Sequence, residues 1–214
     1  MGIVNSGDAK HFRGKVGDKV YYTLADGRTA VRSLAMAGTK PFTVNQLTVQ
    51  QKVAVCADAH RALEGFIRFG YQLLAKDTKS NYYNTFVKHL HNRILTGTYP
   101  DVRIDFKQLL VTQGSLPAAE NVTVQLHESG LVFNWKPESA GREAHYSDKV
   151  MLLAYFPLLD KACYTISGAQ RQLGKDMLLL TGIEHGHVAE IYLSFIENNH
   201  RNISNSIYLG QLNW

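Results

Sequence analysis

Apolar residues between Thr43 and Ala75 recur at alternating steps of four and three, which is the spacing of an α-helix. One row contains Val49, Val53, Cys56, Leu63, Ile67 and Leu74, and a neighbouring row contains Val55, Ala59, Ala62, Phe66, Phe69 and Leu73. Two adjacent rows form the broad apolar stripe of a helix that faces a core. The pattern therefore predicts one long helix, capped by Thr43 and roughly 50 Å long at about 1.5 Å per residue.

Two shorter patterns flank this helix. Asp26-Gly27 separates strand-like runs near residues 19–24 and 28–34, which predicts a β-hairpin. After the long helix, apolar residues keep helical spacing from Ser80 through Leu95, and Gly97 is suited to end a helix. The sequence therefore predicts a second helix that packs antiparallel to the first.

The pattern changes after residues 113–117, Gln-Gly-Ser-Leu-Pro, whose composition indicates a linker. Strand-like runs then follow at 122–127, 131–136, 149–156, 162–167, 176–181, 188–196 and 204–209. Seven short strands are typical of an immunoglobulin-like sandwich, and the lack of a cysteine pair favours the fibronectin type III-like version. The predicted fold class is α+β, with a β-hairpin and a long antiparallel helix pair in residues 1–112 and a seven-stranded sandwich in residues 118–214.

Charge is distributed unevenly between these two parts. Residues 1–112 contain 16 Lys and Arg against 8 Asp and Glu, whereas residues 113–214 contain 7 against 10. Basic and aromatic residues alternate on the predicted hairpin, a composition that can hold nucleic acid. The candidate contacts for a polyanion or for another subunit are Lys15, Lys19, Tyr21, Tyr22, Arg28 and Arg32. An ordinary solvent-exposed hairpin has the same pattern, and that alternative stays open.

Residues that carry chemistry are sparse. The sequence has no phosphate-binding glycine loop, no dinucleotide-binding glycine pattern and no Cys-x-x-Cys. Cys56, Cys163 and His60 fall in apolar runs, so we expect buried thiols and a core histidine. His185 and His187 come nearest to a metal pair, although the surrounding glycines indicate a turn. We therefore assign no catalytic residue, cofactor or metal ligand, identify no small-molecule substrate, and expect no enzymatic activity.

Several segments, in this order along nearly the whole chain, resemble an uncharacterised family of Bacteroidota. They are Gly14-Lys-Val-Gly17, Val31-Arg-Ser33, Thr43-Val-Asn-Gln-Leu47, Thr96-Gly-Thr-Tyr-Pro100, Gly114-Ser-Leu-Pro-Ala-Ala-Glu-Asn121, Trp135, Asp148-Lys-Val-Met151 and Ile203-Ser-Asn-Ser-Ile-Tyr-Leu-Gly210. The chain departs from the family pattern at Phe12-Arg13, where a small residue such as serine is expected, and at Ile203, where valine is expected. The resemblance implies a bacterial setting and no particular activity.

These features lead to three hypotheses. The first is a non-enzymatic structural protein that self-associates through residues 1–112, displays the sandwich, and forms a homo-oligomer by contacts between basic and acidic parts of different copies. The second is a nucleic-acid-associated protein that uses the basic hairpin. The third is an enzyme or small-ligand binder with a site between the halves. No apolar run is long enough to span a membrane and no signal pattern is present, so we expect a cytoplasmic protein, with release by lysis or by a signal-free route left open.

Overall fold

The computed structural model describes residues 2–4, 12–24, 26–35, 41–76, 80–137 and 144–214. Within them the chain forms helices α1 (Val44–Lys76) and α2 (Tyr82–His89), and a π-helical turn at Leu90–Ile94 continues α2. The strands are β1 (Gly2–Val4), β2 (Gly14–Val16), β3 (Lys19–Thr23), β4 (Thr29–Ser33), β5 (Leu95–Thr96), β6 (Arg103–Ile104), β7 (Thr123–His127), β8 (Gly130–Asn134), β9 (Lys149–Phe156), β10 (Lys161–Thr165), β11 (Lys175–Leu179), β12 (Val188–Ile196) and β13 (Ile207–Asn213).

The chain divides into two compact units, Met1–Phe42 and Thr43–Trp214. The first unit is an antiparallel sheet with strand order β1-β4-β3-β2. A backbone hydrogen bond from Leu24 to Arg28 closes the β3–β4 hairpin, and Gly27 takes the left-handed conformation that the turn requires, with φ of 81°. The linker that the sequence predicts at residues 113–117 lies within the second unit.

Helix α1 begins with a capping box, the reciprocal pair of hydrogen bonds that satisfies free amides at a helix start. The hydroxyl of Thr43 accepts from the backbone N–H of Gln46 at 3.3 Å, and the side-chain oxygen of Gln46 accepts from the N–H of Thr43 at 2.9 Å. The helix then continues for 33 residues. Its apolar rows place Leu63, Phe66 and Ile67 in the fully buried core.

The second unit is layered around the sheet of order β10-β9-β12-β13. Side chains of β9 alternate between two cores: Met151 and Leu153 join the core that contains α1, whereas Leu152 and Ala154 join the core on the other side. The sheet of order β11-β8-β7 supplies that second core through residues such as Phe133. Because the central sheet is covered on both faces, β9 is apolar at nearly every position.

The chain around the start of the predicted linker, residues 111–113, is tied into the core. Val111 and Thr112 are fully buried, and the N–H of Val111 donates to the hydroxyl of Ser206 at 2.9 Å. The N–H of Gln113 donates to the carbonyl oxygen of Gly70 at 3.3 Å. These bonds tie residues 111–113 both to α1 and to the segment that precedes β13, so the segment belongs to the core of the second unit.

The predicted fold class is wrong in its details, although the broad α+β description holds. Helix α2 has only eight residues. Residues later in α2 contact residues later in α1, which is the order of a parallel pair. Tyr82 donates to Glu64, and the ring of His89 lies 6.3 Å from that of Tyr71. An antiparallel pair would require the opposite order.

The predicted seven-stranded immunoglobulin- or fibronectin type III-like sandwich is also wrong. The described strands of the chain form four sheets, and the strands after residue 118 lie in the same compact unit as α1 and α2. Their four-stranded sheet shares one core with α1, through residues such as Tyr155 and Tyr192. The physical reason is that β9 and β12 are apolar on both faces, whereas an isolated sandwich leaves its outer faces to solvent.

Within the described ranges, neither α1 nor α2 is both long enough and apolar enough to cross a bilayer. α1 has the length for a span but carries polar and charged residues along one side, including Arg61, Arg68 and Lys76. The prediction of no membrane-spanning helix is therefore confirmed for this part of the chain.

Candidate functional site

The candidate contact residues lie on the sheet of the first unit, and the strand register divides them between its two faces. Tyr21 pairs with Val31, whereas Val20 pairs with both Lys15 and Arg32. Paired residues share a face and successive residues alternate, so two faces can be defined. The Tyr21 face carries Val16, Lys19, Tyr21 and Val31. The Tyr22 face carries Lys15, Val20, Tyr22, Ala30 and Arg32.

The sheet therefore does not bring all six predicted residues together. Lys19 and Tyr21 lie on one face, and Lys15, Tyr22 and Arg32 lie on the other. Arg28 lies in the hairpin turn, where its Nε donates to the carboxylate of Asp26 at 2.8 Å. This hydrogen bond lowers the pKa of Asp26 and raises that of Arg28, so the charge of Arg28 is balanced within the turn.

Two residues that were absent from the predicted set make the Tyr21 face apolar. The ring of Phe12 lies 6.3 Å from the ring of Tyr21. Phe12 is 49% exposed, and Val16 beside Lys19 is 51% exposed. Phe12 was visible in the sequence as a departure from the family pattern. Its proximity to Tyr21 follows only from the folded chain.

The described part of the first unit has almost no core of its own. In its described residues from 12 onwards only Thr29 and Ala30 are buried, and neither hydrophobic cluster of the described chain includes a residue of this unit. Units of about 40 residues usually depend on disulfides, metals or association for stability. Both cysteines, Cys56 and Cys163, are free and belong to the second unit. Cover from another surface would therefore be expected to stabilise this unit.

The surroundings of the two cysteines and of His185 can be described from their burial and contacts. Cys56 is buried as predicted, Cys163 is half-buried, and burial raises the pKa of both thiols. The ring of His185 stacks on Trp214 at 4.3 Å. Across the described ranges, no three His, Cys, Asp or Glu residues come close enough together to hold a metal ion.

His60 and His89 lie where α1 meets α2. The ring of His60 packs edge-on against Tyr83 at 4.6 Å. The Nε2 atoms of both histidines are buried and have no hydrogen-bond partner among the described residues. Burial lowers the pKa of both rings, and the charge of Arg93 lowers that of His89 further. Both histidines are therefore expected to be neutral in the folded chain near pH 7.

Stability should consequently fall as the pH drops below 6.5, the ordinary pKa of histidine. In that range the unfolded chain binds protons that the folded chain does not, which favours unfolding. The double variant His60→Gln, His89→Gln should lose less of its free energy of unfolding between about pH 7.5 and pH 5 than the wild-type chain. Urea unfolding at several pH values measures this difference. If the free energy of unfolding of the two proteins changed equally with pH, these two rings would not be the source of the pH dependence.

The fold and the site define an α+β protein with a helix-covered antiparallel sheet and a small basic N-terminal sheet. Its described residues show no metal cluster. The chain belongs to a family of unknown function, DUF6266, whose family model matches residues 11–210. This confirms the expected membership of an uncharacterised family. No curated protein and no solved structure matches the chain.

Proposed function

We propose that this protein is a non-enzymatic structural or assembly protein of Bacteroidota that self-associates through its first unit into a homo-oligomer. The observation that supports the proposal is the Tyr21 face, where apolar side chains remain exposed on a unit whose described residues belong to neither hydrophobic cluster. A second copy of the chain can cover this face with the same surface. The second unit is then the part that such an assembly displays.

Packing two Tyr21 faces against each other gives the energetic basis for association. Antiparallel sheets stack at about 10 Å when apolar side chains interdigitate. Burying a side chain such as Phe12 or Val16 contributes about 1.5–3 kcal/mol when it is complete. Phe12 and Val16 are each only about half exposed at the start, so several such residues must be covered together.

Charge offers a second kind of contact between copies. Residues 1–42 contain 7 Lys and Arg against 3 Asp and Glu, whereas residues 113–214 carry an excess of acidic residues. A contact between the basic part of one copy and the acidic part of another weakens as salt screens the charges. An apolar contact between two Tyr21 faces does not weaken in this way, because both faces carry the same charge.

The decisive measurement is the absolute mass of the purified chain, by light scattering after size exclusion at low and high salt. A mass above 24.0 kDa at both salts supports association through the apolar face. A mass that falls with salt supports the contact between basic and acidic parts. A mass of one chain at both salts contradicts the proposal.

A variant identifies the surface. Phe12→Ser combined with Val16→Ser should convert the assembly to a single chain, because the apolar contact between the two faces is lost. The fold should be kept, because both side chains are half exposed and belong to neither hydrophobic cluster of the described chain. The matched control is Leu158→Ser, which removes an apolar side chain that is 87% exposed in the second unit. The control should keep the assembly intact. Equal dissociation of both variants would show that the Tyr21 face is not the contact.

The Tyr22 face supports a second candidate, a nucleic-acid-associated protein. Lys15 and Arg32 lie on either side of Val20 in one row across the sheet, and Tyr22 shares their face. Cations can bind phosphates while a tyrosine ring stacks on a base. Lys15→Gln with Arg32→Gln should then reduce binding to single-stranded DNA or RNA and flatten its salt dependence. No mobility shift of the wild-type chain at low salt, with single- or double-stranded nucleic acid, would contradict this candidate.

A further inference from the structure

A cavity of about 640 Å³ lies between the C-terminal half of α1, the start of α2 and the turn that follows β12. This volume is in the range of small-molecule sites. All of the described residues that line it belong to the second unit. Nothing in the proposed function uses this cavity, and none of the candidate contact residues lines it.

Helix α1 contributes two parallel rows of side chains to the cavity. Arg68, Gln72 and Lys76 follow one another at steps of four and form a polar row. Phe69 and Leu73 form an apolar row beside it and pack against the core that contains α1. The cavity therefore has an apolar wall next to a basic rim, which is an arrangement that can hold both ends of an amphipathic molecule.

The turn after β12 completes the opposite side. Ile196, at the end of β12, is buried and adds to the apolar wall. His200 adds an imidazole ring to this side of the cavity. Its backbone has a left-handed φ of 58°, and its N–H donates to the carbonyl oxygen of Glu197 at 2.9 Å, so a closed turn positions it.

The charged side chains among the described residues of the cavity lining are positive. None of the described residues that line it is an aspartate or a glutamate. Neither Arg68 nor Lys76 has an ion-pair partner among the residues that the structure describes. The start of α2 adds a partial positive charge, and Lys76 offsets the partial negative charge at the end of α1.

We propose that this cavity binds a small amphipathic anion. Its phosphate or carboxylate group lies between Arg68, Lys76 and His200, and its apolar group lies on Phe69, Leu73 and Ile196. The basic rim selects for negative charge, because Arg and Lys form charge-assisted hydrogen bonds with such groups. The apolar wall favours an anion that carries a hydrocarbon or an aromatic ring over a bare anion.

Titration calorimetry of the full chain with four probes tests both requirements. Phenyl phosphate and benzoate carry a charge and a ring, benzyl alcohol carries only the ring, and inorganic phosphate carries only the charge. At least one of the two aromatic anions should bind about tenfold more tightly than benzyl alcohol and than inorganic phosphate. Whichever of phenyl phosphate and benzoate binds more tightly shows whether the cavity prefers a phosphate or a carboxylate group. Equal affinity for benzyl alcohol or for inorganic phosphate would overturn the proposal, as would the absence of binding by both aromatic anions.

A variant ties binding to this cavity. Arg68→Gln with Lys76→Gln should weaken binding of the aromatic anion about tenfold, and both positions are exposed, so the fold should be kept. The matched control is Arg61→Gln, which removes an exposed arginine of the same helix that pairs with Asp58 and does not line the cavity. The control should bind as the wild-type chain does. Unchanged binding by the double variant, or equal loss in the control, would overturn the assignment.

Discussion

Replacing Asp148 by alanine is expected to lower the free energy of unfolding by about 3–5 kcal/mol. Asp148 and Arg171 form an ion pair with 3.2 Å between Arg171 Nε and Asp148 Oδ2, and their side chains are 1% and 3% exposed. The guanidinium also donates to the carbonyl oxygen of Pro117 and lies 3.8 Å above the ring of Phe195. Without Asp148 this buried charge has no counter-ion, and leaving a buried charge unpaired is strongly unfavourable.

The chain contains a matched control for this prediction. Asp101 and Arg103 also form an ion pair at 3.2 Å, but their side chains are 73% and 77% exposed. Asp101→Ala should therefore change stability by less than about 1 kcal/mol. Urea unfolding of both variants compares burial at constant distance. If the two variants lost similar amounts of unfolding free energy, burial would not explain the contribution of the Asp148–Arg171 pair to stability.

Gly70→Ala should destabilise the chain by about 1–3 kcal/mol, the usual range for overpacking a core. Alanine is normally better than glycine within a helix by about 1 kcal/mol, so the expected sign is the reverse of helix propensity. An added Cβ at Gly70 would overlap the carbonyl oxygen of Val111 and would lie 3.1 Å from the Cα atom of Thr112. Both contacts are with backbone that is held by its own hydrogen bonds, so relief requires α1 to move.

Gly65 on the same helix provides the comparison. A Cβ there would meet the hydroxyl end of Tyr164, a side chain on the edge strand β10 that is 42% exposed. Because that ring can turn toward solvent, Gly65→Ala should be close to neutral. Thermal or urea unfolding of the two variants measures the difference. An equal loss at both positions would show that the close approach of residues 111–112 is not the cause at Gly70.

Long, strongly patterned strands and the β3–β4 hairpin could be predicted from the sequence, whereas the end of the second helix could not. The ranges predicted for β9 and β12, 149–156 and 188–196, agree with the observed Lys149–Phe156 and Val188–Ile196. The second helix was predicted too long, because Leu90 and Ile94 remain buried in a π-helical turn and so keep the helical spacing of apolar residues. Periodicity alone does not distinguish these two kinds of turn.

The strand faces of some candidate contact residues could be predicted from the sequence, but the surface that these residues form could not. Alternation along β3 places Tyr21 and Tyr22 on opposite faces, and this is readable from the sequence. The positions of Lys15 and Arg32 depend on the register of β2 and β4 against β3, which hydrogen bonding sets. In the same way, the polar side of α1 was readable, whereas the proximity of His200 to Lys76 depends on the fold of the whole second unit.

The central sheet of the second unit makes its two cores one cooperative system. Strands β9 and β12 supply side chains to both cores, so loss of the helix layer exposes the reverse side of strands that also hold the outer sheet in place. The two cores should consequently melt in a single transition. The amide hydrogens of β9 and β12, which have neighbouring strands on both sides, should be the last to exchange with solvent. For the same reason, a truncation that removes α1 would leave an insoluble sheet instead of a smaller domain.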